Sequence, residues 1–162
     1  MKMLFSILSA FYFFAIAAGT PASPALQLVI AEEVASPAQI PAGKTFLRIA
    51  DKYYLTGETF TFQQILNAAV EDVPAGILDT FDRTTVCKIN LKVSYSRKDA
   101  GRLHIFTKKH IGKTAVAVIC GKPVCAALLM MPIESTSLIL SGAEDTDLKK
   151  VAGMLNSRCR KQ

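Results

Sequence analysis

Ala115–Leu128, AVAVICGKPVCAAL, sets two apolar runs on either side of Gly121-Lys122-Pro123. An apolar run, a Gly/Pro break and a second apolar run is the pattern of a β-hairpin. The two cysteines raise the alternative of a chemical site. Their spacing, Cys120-x4-Cys125, is neither the C-x-x-C of a redox pair nor a zinc half-site with a second ligand pair downstream. The hairpin is the simpler reading.

Working outward, CKINLKVSY (Cys87–Tyr95) alternates cleanly: Cys87, Ile89, Leu91, Val93 and Tyr95 share one face, and Lys88, Asn90, Lys92 and Ser94 the other. That is a half-buried strand. Ser96 then caps a helix, with Asp99 as its short-armed capping-box partner, and Gly112 stops it at C′. Downstream, SLILSG is a strand. A helix over about Glu144–Ser157 turns Leu148, Val151 and Leu155 inward, and Glu144, Asp145 and Asp147 complement its N-terminal dipole. Upstream, TFLRIA is a short strand and Thr56-Gly57 breaks YYLTGETF. Phe62, Ile65, Leu66 and Ala69 recur at helical spacing, which predicts a helix over Thr59–Val70. Glu71–Thr84 is a loop. The order β-α-β-α-β-β-β-α predicts an α+β domain with helices packed on one face of a mostly antiparallel sheet.

The chain opens with one charge, Lys2, an apolar run from Leu4 to Ala18, and small residues at Ala17-Ala18-Gly19. The run is shorter than the ~20 residues a spanning helix needs, so residues 1–19 are expected to be a signal peptide cut before Thr20; an uncleaved anchor is the alternative. Residues 20–43, rich in Pro and Ala, are expected to be a tether with at most a short extended piece at Leu26–Ile30. The domain is expected over 44–158, with a basic tail at 159–162. The product would be soluble in the periplasm or secreted. All four cysteines (Cys87, Cys120, Cys125, Cys159) follow the leader, so an oxidising compartment predicts one or two disulfides. Three complete pairings exist, and sequence does not choose among them.

The run DAGRLHIFTKKHIGKTAVAVICGKPVCA resembles the head subdomain of the large periplasmic domain of SecD, the membrane-embedded accessory subunit of bacterial protein export. Ala100, Leu103, Phe106-Thr107 and Gly112-Lys113 stand at the family's helix positions, Ala115–Ile119 at its strand, and Gly121-Lys122 at its turn. Leu55-Thr56-Gly57-Glu58 resembles the family's LTG and acidic residue. SLILSGAEDTDLKKVAGML resembles its last strand and closing helix. Two positions depart: Cys120 stands where the family has Asp, and Ala127 where it has Pro. The resemblance implies a fold and a binding habit rather than translocation. It also implies a tight turn at Cys120-Gly121, which would hold the two cysteines ~13 Å apart along the ladder. A Cys120–Cys125 bridge would need the wider loop Gly121–Val124.

Catalytic groups are sparse. His104 and His110 lie about 240° apart on one helix and cannot share a metal, and His110 falls on the packed side. There is no H-E-x-x-H, G-x-S-x-G or phosphate-cradling glycine loop. Glu32-Glu33 and Glu71-Asp72 read as solvated. No enzyme activity and no cofactor are expected.

The formal charge is +6. From Lys88 to Lys122 there are nine Lys/Arg and one acid, Asp99. Lys98, Arg102, Ile105 and Lys109 form a basic stripe with an apolar centre on the middle helix. Such a stripe suits a protein or unfolded polypeptide, or transient contact with an anionic membrane surface. No aromatic residue interrupts it to stack on bases, so nucleic acid is not expected. The sequence thus reads as a non-enzymatic, protein- or peptide-binding module linked to export or envelope maintenance. The rival readings are an inhibitor or accessory subunit docking on one folded partner, and a small hydrolase or thiol enzyme. The second candidate surface is the hairpin with Leu128–Met131.

Overall fold

The computed structural model describes residues 25–72, 89–141 and 147–159. The expected leader, Cys87, Glu144, Asp145 and residues 160–162 lie outside the described residues, as does the side chain of Cys159. Strands β1 Leu26–Val34, β2 Phe46–Ile49, β3 Lys52–Thr61, β4 Ile65–Asp72 and β5 Ile89–Tyr95 come first. Helix α1 Arg97–Lys109, strands β6 Thr114–Ile119, β7 Lys122–Leu128 and β8 Ser137–Ser141, and helix α2 Leu148–Cys159 follow.

The α+β class and the antiparallel pairing are as expected. From β5 onward the order strand, helix, three strands, helix is the expected one. The strands form two sheets, β2-β3-β1-β6-β7 and β4-β5-β8. Leu26, Leu28, Phe60 and Ile119 from the first sheet, with Phe62 just after β3, meet Leu91, Val93, Tyr95 and Leu140 from the second. Leu103 of α1 and Leu148, Ala152 and Leu155 of α2 complete that core. The other face of the five-stranded sheet holds a second cluster of Val29, Ala31, Tyr54, Val116 and Val118. Edge strands β2 and β7 lie close to each other, so the sheet curls around that cluster.

Several expectations need correction. The tether over 20–43 contains β1, the middle strand of the five-stranded sheet, paired with β3 on one side and β6 on the other. Leu26, Leu28 and Ile30 are buried on one face, Val29 and Ala31 on the other, because a central strand with two covered faces needs no polar alternation. The helix over Thr59–Val70 is absent. Phe60 and Phe62 share a face at strand period and pack edge to face at 4.9 Å. The chain turns at Gln63-Gln64 and resumes as β4, leaving Leu66 exposed.

Asp99 makes that turn. Its fully buried carboxylate accepts the backbone N–H groups of Gln63 (3.0 Å) and Gln64 (2.9 Å). The expected capping box is therefore half formed. Ser96 Oγ accepts from the Asp99 N–H, but the Ser96 N–H donates to the Gln64 carbonyl rather than to Asp99. The helix cap is His110, so the positive φ of Gly112 (81°) falls one residue later than C′. Gly57 does not break β3. β1 bulges between Val29 and Ala31, and the Ile30 carbonyl oxygen lies 3.1 Å from where a Cβ on residue 57 would stand. A Cβ there would be unusually tight against backbone and would push the bulge back by a few tenths of an ångström.

The hairpin closes in the tight register. Cys120 (φ 51°) and Gly121 (φ 81°) form a two-residue turn with both centres at positive φ. Lys122 opposes Ile119, and a bulge after Ala117 sets Cys125 opposite Ala117. Cys120 and Cys125 are then three residues apart along the ladder, about 10 Å, beyond the ~7 Å limit for a disulfide. Both are free thiols. The local bridge is ruled out by this register.

Candidate functional site

On α1, Lys98 and Lys109 are exposed, Arg102 is half-exposed, and Ile105 is 71% exposed. The stripe exists as a surface, but two of its three cations are engaged. Arg102 Nη1 bonds Asp99 Oδ1 at 2.9 Å, and the guanidinium lies 5.0 Å from the Phe60 ring centre. Lys109 Nζ lies 3.0 Å from Glu58 Oε1, and its hydrogen bond is the main cause that holds the Glu58 carboxyl below its ordinary range. Arg102 is thus as much an anchor for the β3–β4 turn as a surface charge. Of the four residues at the family turn positions, Lys113 and Lys122 are exposed and Gly112 and Gly121 supply positive φ.

The two histidines serve different segments. His104 Nδ1 lies 3.5 Å from Glu134 in the β7–β8 connection. His110 is buried against Phe106, with Nε2 3.4 Å from Glu58. They face separate carboxylates and do not converge.

An apolar groove of about 310 Å³ lies between β7 and β8. Leu28, Ala115 and Ala117 belong to its lining on the five-stranded sheet, and Cys125, Ala127 and Leu128 line it on the β7 side. Leu129, Met130, Met131 and Ile133 form the connecting lip, with Leu138, Ile139 and Leu140 of β8 opposite. No charged residue lines it. Leu128, Met130, Met131 and Ile139 are 55%, 73%, 70% and 63% exposed, an unusual concentration of bare aliphatic and thioether surface. Burial in this wall pushes the Cys125 thiol up to about 11, so it is a protonated apolar group rather than a nucleophile.

The lip is firmly held. Leu129 exchanges bonds with Gly112 and Lys113 (2.8 and 2.9 Å), Thr107 Oγ1 accepts the Ile133 N–H, and the Tyr95 hydroxyl donates to the Ser135 carbonyl. A larger cleft of about 470 Å³ over the β1 bulge is lined by Glu32, Glu33 and Lys113 together with small and aliphatic residues, with no converging set of reactive groups.

Leu128–Met131 was legible as an uncharged run, whereas Ile133, Leu138 and Ile139 join it only through the fold. The available signal was the stretch Pro123–Ile133, which has no charged residue.

The antiparallel α+β fold is similar to that of a solved export component. A solved structure of SecDF, a membrane component that enhances protein export, matches with a TM-score of 0.53 at 12% identity, over 84% of this chain. The match spans 64% of that chain's length. A structure of SecDF in its super-membrane-facing form matches over 87% of this chain and 30% of its own, at 13% identity and a TM-score of 0.38. No protein-family model matches the sequence. No curated protein matches it either. Among the described residues no helix is long and apolar enough to cross a membrane.

Proposed function

We propose that this chain is a non-enzymatic module of the SecD-head type that binds extended protein or peptide in the periplasm, in the service of export or envelope maintenance. The observation that carries the reading is the uncharged groove between β7 and β8, with its exposed Leu128, Met130, Met131 and Ile139. Methionine side chains adapt to many apolar shapes, which suits a site that meets varied sequences. The basic stripe of Lys98, Arg102, Ile105 and Lys109 is a second contact surface that steers acidic segments. A docking inhibitor would present a protruding rigid loop. The hairpin tip is instead tied down, since the Cys120 N–H donates to the Ala25 carbonyl at 3.0 Å.

The test is anisotropy with labelled lactalbumin, either native or reduced and carboxymethylated. The unfolded form should bind, the native form should not, and Met130→Asp with Met131→Asp should weaken binding at least tenfold. Lys98→Glu should slow association in a way that added salt mimics, and Ile105→Asp should speed dissociation. Arg102 is left intact, because reversing it would set two acids against each other at Asp99. Equal binding of native and unfolded lactalbumin would refute the reading.

A further inference from the structure

The three-stranded sheet has two edges, and the fold treats them differently. At the β4 edge, Asn156 of α2 pairs with Ala68: its Nδ2 donates to the Ala68 carbonyl (2.7 Å), and the Ala68 N–H donates to its Oδ1 (2.9 Å). One side-chain amide thus occupies the backbone pair that a further strand would use, which is how natural sheets blunt an edge.

At β8, the Tyr95 N–H donates to the Thr136 carbonyl at 3.0 Å. Residues 95 and 136 are therefore a hydrogen-bonded pair, and in an antiparallel ladder such pairs alternate. Given the register Val93↔Leu138, Lys92↔Ile139 and Leu91↔Leu140, Leu138 and Leu140 bond to β5. The N–H and C=O of Ile139 then point away from the sheet. Ser137 shares that parity, and its N–H is taken by Ser135 Oγ at 2.9 Å. Among the described residues no strand pairs with β8 on that side. The groove lies along the same strand.

We infer that the occupant of the groove binds by adding a strand to β8. Ile139 is its docking pair, as Asn156 is for Ala68 at the other edge, and alternate side chains of the added strand enter the Met130/Met131 groove. This rests on the polypeptide-binding reading and specifies its substrate class: an extended segment with uncharged aliphatic residues at alternate positions. A charged side chain entering the groove would lose its hydration against a lining that offers no counter-charge. A row of backbone bonds gives affinity without reading sequence, and the apolar positions set the preference.

The probe is the labelled peptide acetyl-Ser-Val-Thr-Val-Thr-Val-Ser-amide, with two N-methylated versions, one methylated at the three valines and one at the two threonines. Strand addition predicts that the parent binds, that one methylated version loses at least tenfold in affinity, and that the other changes less than twofold. In an added strand, alternate N–H groups face β8 and solvent. The protein is unmodified in all three measurements, so folding is not in question. Equal affinity for all three peptides, lost together in Met130→Asp/Met131→Asp, would overturn strand addition and leave the groove reading standing. No binding by any of them would overturn both. A concentration-dependent dimer in sedimentation that the parent peptide fails to dissociate would assign the β8 edge to a second copy and overturn the inference.

Discussion

Replacing Asp99 with alanine should be strongly destabilising. The carboxylate is fully buried and accepts from the N–H groups of Gln63 and Gln64 at 3.0 and 2.9 Å, from Arg102 Nη1 at 2.9 Å and from Ser96 Oγ at 3.3 Å. Hydrogen bonds to a charged group contribute about 1.5–3 kcal/mol each, and they do not sum independently. Removing one partner of a buried ion pair costs about 3–5 kcal/mol, because what remains is left unpaired. Here the stranded groups are two backbone N–H groups, while half-exposed Arg102 can turn to water. A loss of about 4 kcal/mol follows, a large share of the ~5–15 kcal/mol that holds a domain together. The chain has no tryptophan, so far-UV circular dichroism in a urea titration is the appropriate assay. With an m-value of about 1.5 kcal/mol/M, the midpoint should fall by roughly 2–3 M. Asp99→Asn keeps one acceptor oxygen and should lose about half as much. If Asp99→Ala unfolds within about 1 kcal/mol of the parent, the turn at Gln63-Gln64 is held by something else and the reasoning is wrong.

Other outcomes follow from the hairpin and the buried acids. Gly121→Ala, at φ 81°, should cost about 1–2 kcal/mol in the same titration; an unchanged midpoint would mean that the turn is not the tight one. With its thiol pushed up to about 11 from an ordinary 9, Cys125 should react with iodoacetamide at pH 8 roughly 100-fold more slowly in the native protein than in urea, read by peptide mass mapping. Near-equal rates would show that the β7 wall is open to water. Burial also raises the Tyr95 hydroxyl, to about 12 from an ordinary 10. Both groups hold protons in the folded state that the unfolded chain releases. Their contribution is therefore complete below about pH 9 and erodes as pH rises toward 12, by up to about 1.4 kcal/mol per pH unit for each group. Urea midpoints at pH 7, 9 and 10.5 should decline across the last step, and Tyr95→Phe should flatten the decline. A level profile to pH 10.5 would contradict the burial of both groups.

What the sequence determined by itself is what local periodicity and turn chemistry can carry. The alternation of β5, the Ser96 cap and the α+β class depend on residues a few positions apart, whereas the choice between the tight turn at Cys120-Gly121 and the wider loop waited for the register of the hairpin. The rest was decided by contacts between distant segments. β1 sits in Pro/Ala-rich surroundings and becomes the middle strand only because β3 and β6 cover both its edges. The apolar spacing over Thr59–Val70 fits a helix, yet a carboxylate 36 residues away from Gln63 captures two of its N–H groups and turns the chain into β4. The groove is the same case. Leu128–Met131 is a visible apolar run, but the partner that makes it a site is β8, whose outer edge no described strand covers, whereas Asn156, 88 residues from Ala68, closes the opposite edge. Hydrogen-bond donors and acceptors must be satisfied wherever the fold places them, and which distant group satisfies them is not written in any local window of sequence.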